Sequence, residues 1–136
     1  MKLFNGDRRG SVMLEFVAAC MLVLLIWAGV CNLALILKDR LVVAAAAREA
    51  GRTAAITGDA GEGERNGYQM LAAGNIYPGR ATVVVRRDSP QLQMVSSRVT
   101  CRTPVAVPGL MLLFGGSPWE KELSVSDSAV FVREPD

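Results

Sequence analysis

The sequence predicts an α+β protein in which one long N-terminal helix packs on a small antiparallel sheet of three or four strands. The first observation is an apolar run from Phe16 to Leu37, which continues without proline into an alanine-rich stretch that reaches Ala55. The second is a segment near the C-terminus, Glu120 to Arg133, in which apolar and polar residues alternate. Alternation with a period of two is typical of a strand that buries one of its faces.

Composition argues against most enzyme and nucleic-acid-binding classes. The chain has 136 residues, with 15 basic and 13 acidic side chains and a net charge of +2, which is too balanced to favour a nucleic-acid partner. Histidine, the commonest general base and metal ligand, is missing from the sequence. The sequence also has no nucleophile motif, phosphate-binding loop or paired-carboxylate pattern. We therefore expect a protein that is not an enzyme and uses no cofactor or metal.

The long helix is placed at roughly residues 11–55. About 20 apolar residues cross a bilayer core of about 30 Å, so residues 16–37 are predicted to be a transmembrane segment. Lys38, Asp39 and Arg40 follow it and mark the water interface. The alanine-rich half beyond them favours a soluble helix that packs against the domain formed by residues 56–136.

The ten residues before the helix are polar and end in glycine. A secretory signal peptide would be cut after its apolar region, but residues 38–40 are bulky and charged and the helical pattern continues through them. Residues 17–20 (VAAC) match a lipobox in outline. That interpretation is disfavoured because Glu15 would fall inside the short apolar region and because the residues after Cys20 are apolar.

Glu15 is the most informative residue of the apolar segment. A carboxylate at the centre of a membrane span costs about 2.5 kcal/mol or more, so it normally has a partner or a function. One interpretation is that it lies in the first helical turn, where the helix dipole and the headgroup region stabilise it. The other is that it pairs with a cation. Cleavage after Gly10 would create such a cation, the free amine of Ser11, one helical turn away.

The N-terminal residues resemble a type IV prepilin. Arg8-Arg9-Gly10 is followed by Ser11-Val12-Met13-Leu14-Glu15-Phe16 and then by the apolar run. The leader is short and basic, and glutamate stands at the fifth position after the glycine. Further along, residues 46–55 (AAREAGRTAA) resemble the Ala-Arg-Glu-Gly-Ala-Arg segment of TadE-like proteins, although Gly51 falls one place later than usual. TadE-like proteins are minor pilins, or pseudopilins, of the tight-adherence (Tad/Flp) pilus system.

This resemblance implies a function in pilus assembly. Residues 1–10 would be a leader that a prepilin peptidase removes between Gly10 and Ser11. Glu15, followed by Phe16, would pair with an amine during assembly, and the partners would be other pilins of the same system. The resemblance also implies a single-pass protein of the inner membrane with a cytoplasmic N-terminus and a periplasmic domain, whereas loop charge alone leaves the orientation open. The alternative is an unprocessed, membrane-anchored envelope domain with an interaction role.

The segment after the long helix predicts a turn and a second helix. Residues 58–64, rich in glycine and acidic side chains, indicate a flexible turn. A calcium site there is disfavoured, because the spacing does not match an EF-hand loop. Residues 62–73 are predicted to form a short helix with Tyr68, Leu71 and Ala72 on one side.

Three strands are predicted in the remainder. They are residues 81–87, residues 91–102 and the alternating segment near the C-terminus. Residues 104–116 are apolar but rich in proline and glycine, and two interpretations stay open: a loop that packs on the domain, or a contact surface for lipid or a partner. Cys20 and Cys31 are expected to be packing residues of the apolar helix. Cys101 is expected to be a buried thiol, with an intermolecular disulfide as the alternative.

Overall fold

The computed structural model describes residues 7–89, 94–105 and 121–132, and the side chains of all of these except residues 7–9 and 89. These residues form an α+β fold, as predicted, with a long helix and a shorter one on a three-stranded antiparallel sheet. The elements in chain order are α1 (Asp7–Thr57), α2 (Ala60–Ala73), a short 3₁₀ helix (Pro78–Arg80), β1 (Ala81–Ser89), β2 (Met94–Pro104) and β3 (Glu122–Val132).

Helix α1 is unbroken over 51 residues and extends the predicted helix at both ends. At 1.5 Å per residue its axis is about 77 Å long. It ends at Gly58, which has a φ of 70° and donates its N–H to the carbonyl of Ala54 at 3.1 Å. Glycine adopts this left-handed conformation without steric cost, and it therefore terminates the helix.

The predicted flexible turn at residues 58–64 is mostly helix. Asp59 caps α2, because its Oδ1 accepts the N–H of Gly61 at 2.8 Å. An aspartate in this position satisfies one of the N–H groups that a helix start leaves unpaired. The turn is therefore reduced to Gly58 and Asp59, and α2 begins two residues earlier than predicted.

The buried side of α2 differs from the predicted one. Leu71 is buried and Tyr68 is half-buried, as expected, but Ala72 is exposed. The other buried residues of α2 are Gly63 and Gly67, which face α1. Glycine carries no apolar signal, so periodicity alone missed Gly63 and Gly67 and wrongly placed Ala72 on the contact face.

The sheet has the strand order β1-β2-β3, with β2 antiparallel to both neighbours. Residue Val99 shows the register, since its Cα is paired with Val83 on one side and with Asp127 on the other. The pairing is regular except for a bulge between Arg87 and Ser89. Residues 91–93, the start of the predicted second strand, lie outside the described residues.

Both helices cover the same face of the sheet. On α1 the buried residues are small, whereas β1 and β2 contribute mainly valines. The core comprises Val43, Ala46, Ala47, Ala50, Ala54, Leu71, Ile76, Ala81, Val83, Val85, Val95, Val99 and Cys101. The alternation predicted for β3 is confirmed: Leu123, Val125, Asp127, Ala129 and Phe131 are buried or half-buried, while Ser124, Ser126, Ser128, Val130 and Val132 are exposed.

Helix α1 runs along the strands rather than across them. Asp39 accepts a hydrogen bond from Thr103, near one end of β2, while the carbonyl of Ala47 accepts one from Ser97, further back along the same strand. Gly51 then lies against Phe131, near the end of β3. The helix is therefore antiparallel to β2 and parallel to β1 and β3.

The predicted apolar segment at residues 104–116 lies almost entirely outside the described residues. Only its first two residues, Pro104 and Val105, are described. Val105 donates its N–H to the carbonyl of Lys121 at 2.9 Å, which extends the β2–β3 pairing by one step. Neither interpretation of residues 106–116 is tested, and residues 1–6 of the predicted leader are not described either.

Candidate functional site

The predicted processing and assembly residues lie together on the first turns of α1. Gly10, Ser11, Glu15 and Phe16 are all helical and exposed, and Phe16 exposes 69% of its surface. No heavy atom lies within 4 Å of the position that a Cβ on Gly10 would occupy. Within the described residues, Glu15 makes no ion pair or hydrogen bond. Within the described residues, these side chains are therefore exposed on the first turns of the helix.

Ser11 and Glu15 are one helical turn apart. Residues with this spacing are neighbours on a helix surface, about 6 Å between Cβ atoms. The backbone N–H groups at the start of a helix also favour a nearby carboxylate. If the chain began at Ser11, its ammonium group would stand at that helix start, within reach of Glu15 or of a neighbouring subunit's carboxylate.

The apolar half of α1 is exposed almost all round. Among its large residues, Leu24 and Trp27 each expose more than 60% of their surface. The described residues contain one helix, between Gly10 and Thr57, that is long and apolar enough to cross a membrane, and a signal sequence would meet the same criterion. An exposed apolar surface of this length is typical of a segment covered by lipid or by partner helices.

One narrow side of this apolar half is covered. Asn32 exposes only 1% of its surface, although Cys31 and Leu33 beside it are exposed. Asp39, seven residues further on, is also buried, and Val43 follows one turn later. Spacings of seven and four residues place all three on one side of the helix. The side that carries the sheet domain thus continues into the apolar run as far as Asn32.

Asp39 is the centre of a polar cluster where the apolar run ends. Its side chain is only 8% exposed, and its Oδ2 accepts hydrogen bonds from Thr103 Oγ1 at 3.0 Å and from Arg80 Nη2 at 3.3 Å. Lys38 Nζ lies 3.8 Å from Oδ1. Arg80 also donates from Nε to the carbonyl of Arg102 at 3.1 Å. A buried carboxylate is costly unless it is paired. Because only one rotation of α1 about its axis brings Asp39 to Thr103 and Arg80, this cluster fixes that rotation against the sheet.

Sequence reasoning assigned Asp39 only to the water interface. Its burial was missed because Lys38 and Arg40 flank it and the three residues together read as a solvated charge group. The available signal was the spacing from Asp39 to Val43 and Ala46, which places the carboxylate on the side of the helix that carries the core alanines. Arg80 and Thr103 carried no comparable signal, because only the fold brings them to Asp39.

Cys101 is a buried thiol, as predicted. Burial raises the pKa of the thiol above its ordinary value of 9.0, and the nearby Asp39 carboxylate raises it further, while Arg80 and a hydrogen bond with Thr103 act in the opposite direction. A thiol in this environment stays protonated at neutral pH and is a poor nucleophile. Its burial also disfavours the alternative of an intermolecular disulfide.

The C-terminal half of α1 is joined to α2 by close backbone contacts. A Cβ on Gly63 would lie 2.6 Å from the carbonyl oxygen of Ala50 and 2.8 Å from Ala54 Cβ. A Cβ on Gly67 would lie 3.1 Å from Ala50 Cβ. Small residues four apart let two helices approach closely. The alanines of α1 are therefore used inside the domain, against α2 and the sheet.

A second surface is the exposed face of the sheet. An open groove there is lined by residues that include Arg86, Asp88, Ser96 and Arg98. The described residues contain no group of three or more His, Cys, Asp or Glu side chains that could hold a metal ion.

No protein-family model matches the chain, no curated protein matches it, and no solved structure matches it.

Proposed function

We propose that the chain is a TadE-like minor pilin (pseudopilin) that acts in the assembly of a Tad-type pilus or a related secretion filament. The observation that supports this most directly is α1 itself. It is one unbroken helix whose first half is apolar and exposed and whose second half is buried under a sheet. A Gly10-Ser11 bond followed by Glu15 stands at its exposed end. This arrangement suits a subunit that is held in lipid first and then joins a bundle of similar helices.

In this proposal the apolar half anchors the subunit in the inner membrane, with the sheet domain on the periplasmic side. A prepilin peptidase cuts between Gly10 and Ser11. Because α1 already begins at Asp7, the peptide bond to be cut is helical in the uncut chain. The peptidase must then unwind about one turn, and Gly10 lowers the cost because glycine is about 1 kcal/mol less favourable in a helix than alanine.

Glu15 has the central role in assembly. In the apolar environment of a helix bundle an unpaired carboxylate is costly, so it selects a position where it meets an amine. The new amine of Ser11, on the same or on a neighbouring subunit, satisfies this requirement. When the amine belongs to a neighbouring subunit, a subunit that enters the bundle at the wrong depth leaves both charges unpaired, and the pair then sets the register between adjacent helices.

The test is the N-terminus of the protein recovered from its native membrane fraction. The proposal expects Ser11 as the first residue in cells with the peptidase and Met1 in cells without it. A chain that keeps Met1 in the presence of the peptidase contradicts the proposal and supports the second candidate, an unprocessed membrane-anchored envelope domain. That candidate draws on the same exposed apolar helix but assigns no function to Gly10 or Glu15.

A further inference from the structure

The two edges of the sheet differ in how their main-chain groups are satisfied. On β1 the N–H of Val83 donates to Tyr68 Oη at 3.3 Å, and the N–H of Val85 donates to Glu64 Oε1 at 3.2 Å. Both acceptors belong to α2, which lies along this edge. An edge strand whose outward N–H groups are already bonded does not accept another strand. The β1 edge is therefore closed at its centre, around Val83 and Val85.

The phase of these bonds identifies the outward groups of β3. In an antiparallel sheet the main-chain groups of successive residues point alternately to the two neighbouring strands. Since Val83 and Val85 point away from β2, the register places the outward groups of β3 at Ser124, Ser126, Ser128 and Val130. The bond from the Val105 N–H to the Lys121 carbonyl agrees with this alternation, because both groups lie between β2 and β3 and point toward each other.

Among the described residues, no strand or side chain from another element pairs with the edge of β3 from Ser124 to Val130. The side chains of its outward residues are exposed. The N–H groups of Ser124, Ser126 and Val130 have no hydrogen-bond acceptor among the described residues. The N–H of Ser128 donates to Asp127 Oδ1 at 2.8 Å, a bond within the strand itself. Open edges of this kind are the sites at which extended segments add to sheets.

A second copy of this chain fits the open edge poorly. Parallel pairing of two β3 edges would turn one sheet over, so the apolar row of one copy would continue into the serine row of the other. Antiparallel pairing of β3 with its own copy requires a two-fold axis perpendicular to the sheet. Helix α1 lies along the sheet and parallel to β3, so this axis would point the two apolar halves in opposite directions. They could not enter the same membrane from the same side. Pairing of β3 with β1 of a copy would keep the helices parallel, but Tyr68 and Glu64 close the β1 edge.

We propose that the β3 edge binds an extended segment of a different protein, which becomes the fourth strand of the sheet. Except opposite Asp127, its residues on the helix side must be apolar, because they extend the buried or half-buried row of Val125, Ala129 and Phe131. On the other side they meet the hydroxyls of Ser124, Ser126 and Ser128 and are polar. A basic residue fits opposite Asp127, whose carboxylate has no cation partner among the described residues. The inference rests on the proposed membrane anchoring of α1 but not on cleavage of the leader.

The experiment measures amide hydrogen exchange of the full chain in detergent micelles. The probe is a synthetic peptide that alternates valine and threonine around one central lysine. The control peptide is identical but N-methylated at alternate residues, so that it cannot pair. We expect the first peptide to slow exchange at Ser124, Ser126 and Val130 by roughly tenfold or more and the control peptide to have no effect. Val83 and Val85 on the closed edge should not change.

Two variants separate main-chain pairing from side-chain effects. Ser126→Pro removes an outward N–H and places a ring on the edge, which a sheet tolerates at this position. It should abolish the protection at Ser124 and Val130, whereas Ser126→Ala should leave it intact. Loss of protection in both variants would overturn the proposal, and so would equal effects of the two peptides. If Ser126→Pro does not fold, the comparison of the two peptides on the unaltered chain still tests whether main-chain pairing causes the protection.

Protection of the same amides without any peptide would also overturn it. Concentration-dependent protection would mean that a second copy pairs with the edge, and concentration-independent protection would mean that the chain covers its own edge. These results do not bear on cleavage after Gly10, which is read from the mature N-terminus. Failure of this inference and failure of the proposed function are therefore distinguishable.

Discussion

Substitution of Gly63 by alanine tests whether backbone contact between α1 and α2 holds the domain together. Gly63 lies inside α2, where alanine is about 1 kcal/mol more favourable than glycine on helix propensity alone. The added methyl group would, however, lie 2.6 Å from the Ala50 carbonyl oxygen and 2.8 Å from Ala54 Cβ. The first of these atoms is backbone and the second is attached directly to it, so neither can move without shifting α1.

The two effects have opposite signs, and their sizes decide the outcome. Overpacking of a tight contact costs about 1–3 kcal/mol, and more where backbone must move. A contact that is almost 1 Å too short against a helix carbonyl belongs at the upper end of this range. After subtraction of the propensity gain, we expect Gly63→Ala to destabilise the domain by about 2 kcal/mol. For a domain of this size the melting temperature should fall by roughly 8–16 °C.

The matched control is Gly61→Ala in the same helix. Gly61 is exposed, and the nearest atom to its added Cβ is Asp59 Oδ1 at 3.4 Å, an ordinary separation. This variant should be neutral or slightly stabilised. The assay is thermal unfolding of the full chain in micelles, followed by circular dichroism. If Gly63→Ala melts at or above the temperature of Gly61→Ala, the close approach of the two helices is not what stabilises the domain.

Four further predictions follow from the same geometry. Asp39→Ala should destabilise the domain by about 1–2 kcal/mol in denaturant unfolding. The loss is smaller than for a fully buried pair, because the side chain of Arg80 is 36% exposed. Asp39→Asn should recover part of the loss. Burial raises the pKa of Cys101 in the folded protein, so the thiol of the unfolded chain loses its proton first as the pH rises past 9.0. The free energy of unfolding should therefore fall above this pH, and it should fall less in Cys101→Ala. Gly10→Leu should leave the leader attached in immunoblots of membranes. Glu15→Ala should be cleaved normally but should fail to enter the filament, and normal filament formation by this variant would remove the charge-pairing idea.

The helices and strands were largely predictable because their signals are local. The apolar run and the alanine-rich stretch predict one long helix, and the alternation from Leu123 to Phe131 predicts a strand with one covered face. The start of α2 was misplaced because Asp59 acts as a cap, so the glycine-rich residues after it continue as helix. Tyr68 and Leu71 were correctly placed on its buried side and Ala72 was not, while Gly63 and Gly67 were missed because they contribute through the absence of a side chain.

The polar cluster around Asp39 could not be predicted in the same way. Asp39, Arg80 and Thr103 are far apart in the chain, and only the packing of α1 on β2 brings them together. The predicted processing residues have the opposite character. Gly10, Ser11, Glu15 and Phe16 were identified from their order alone, and the structure places them on an exposed helix end without testing their function. The asymmetry of the sheet edges was also invisible in the sequence, because Tyr68 and Glu64 belong to a helix rather than to the strand that they cap.

The continuity of α1 has a mechanical consequence. Since a single helix without a hinge passes from the apolar run into the domain, the anchor and the sheet cannot turn or slide independently. If α1 spans a membrane as proposed, a pull on the sheet domain along the helix axis changes the depth of Glu15 by about 1.5 Å for each residue drawn out of the bilayer. Under the same proposal, a partner that binds the domain outside the membrane also controls when that carboxylate leaves lipid.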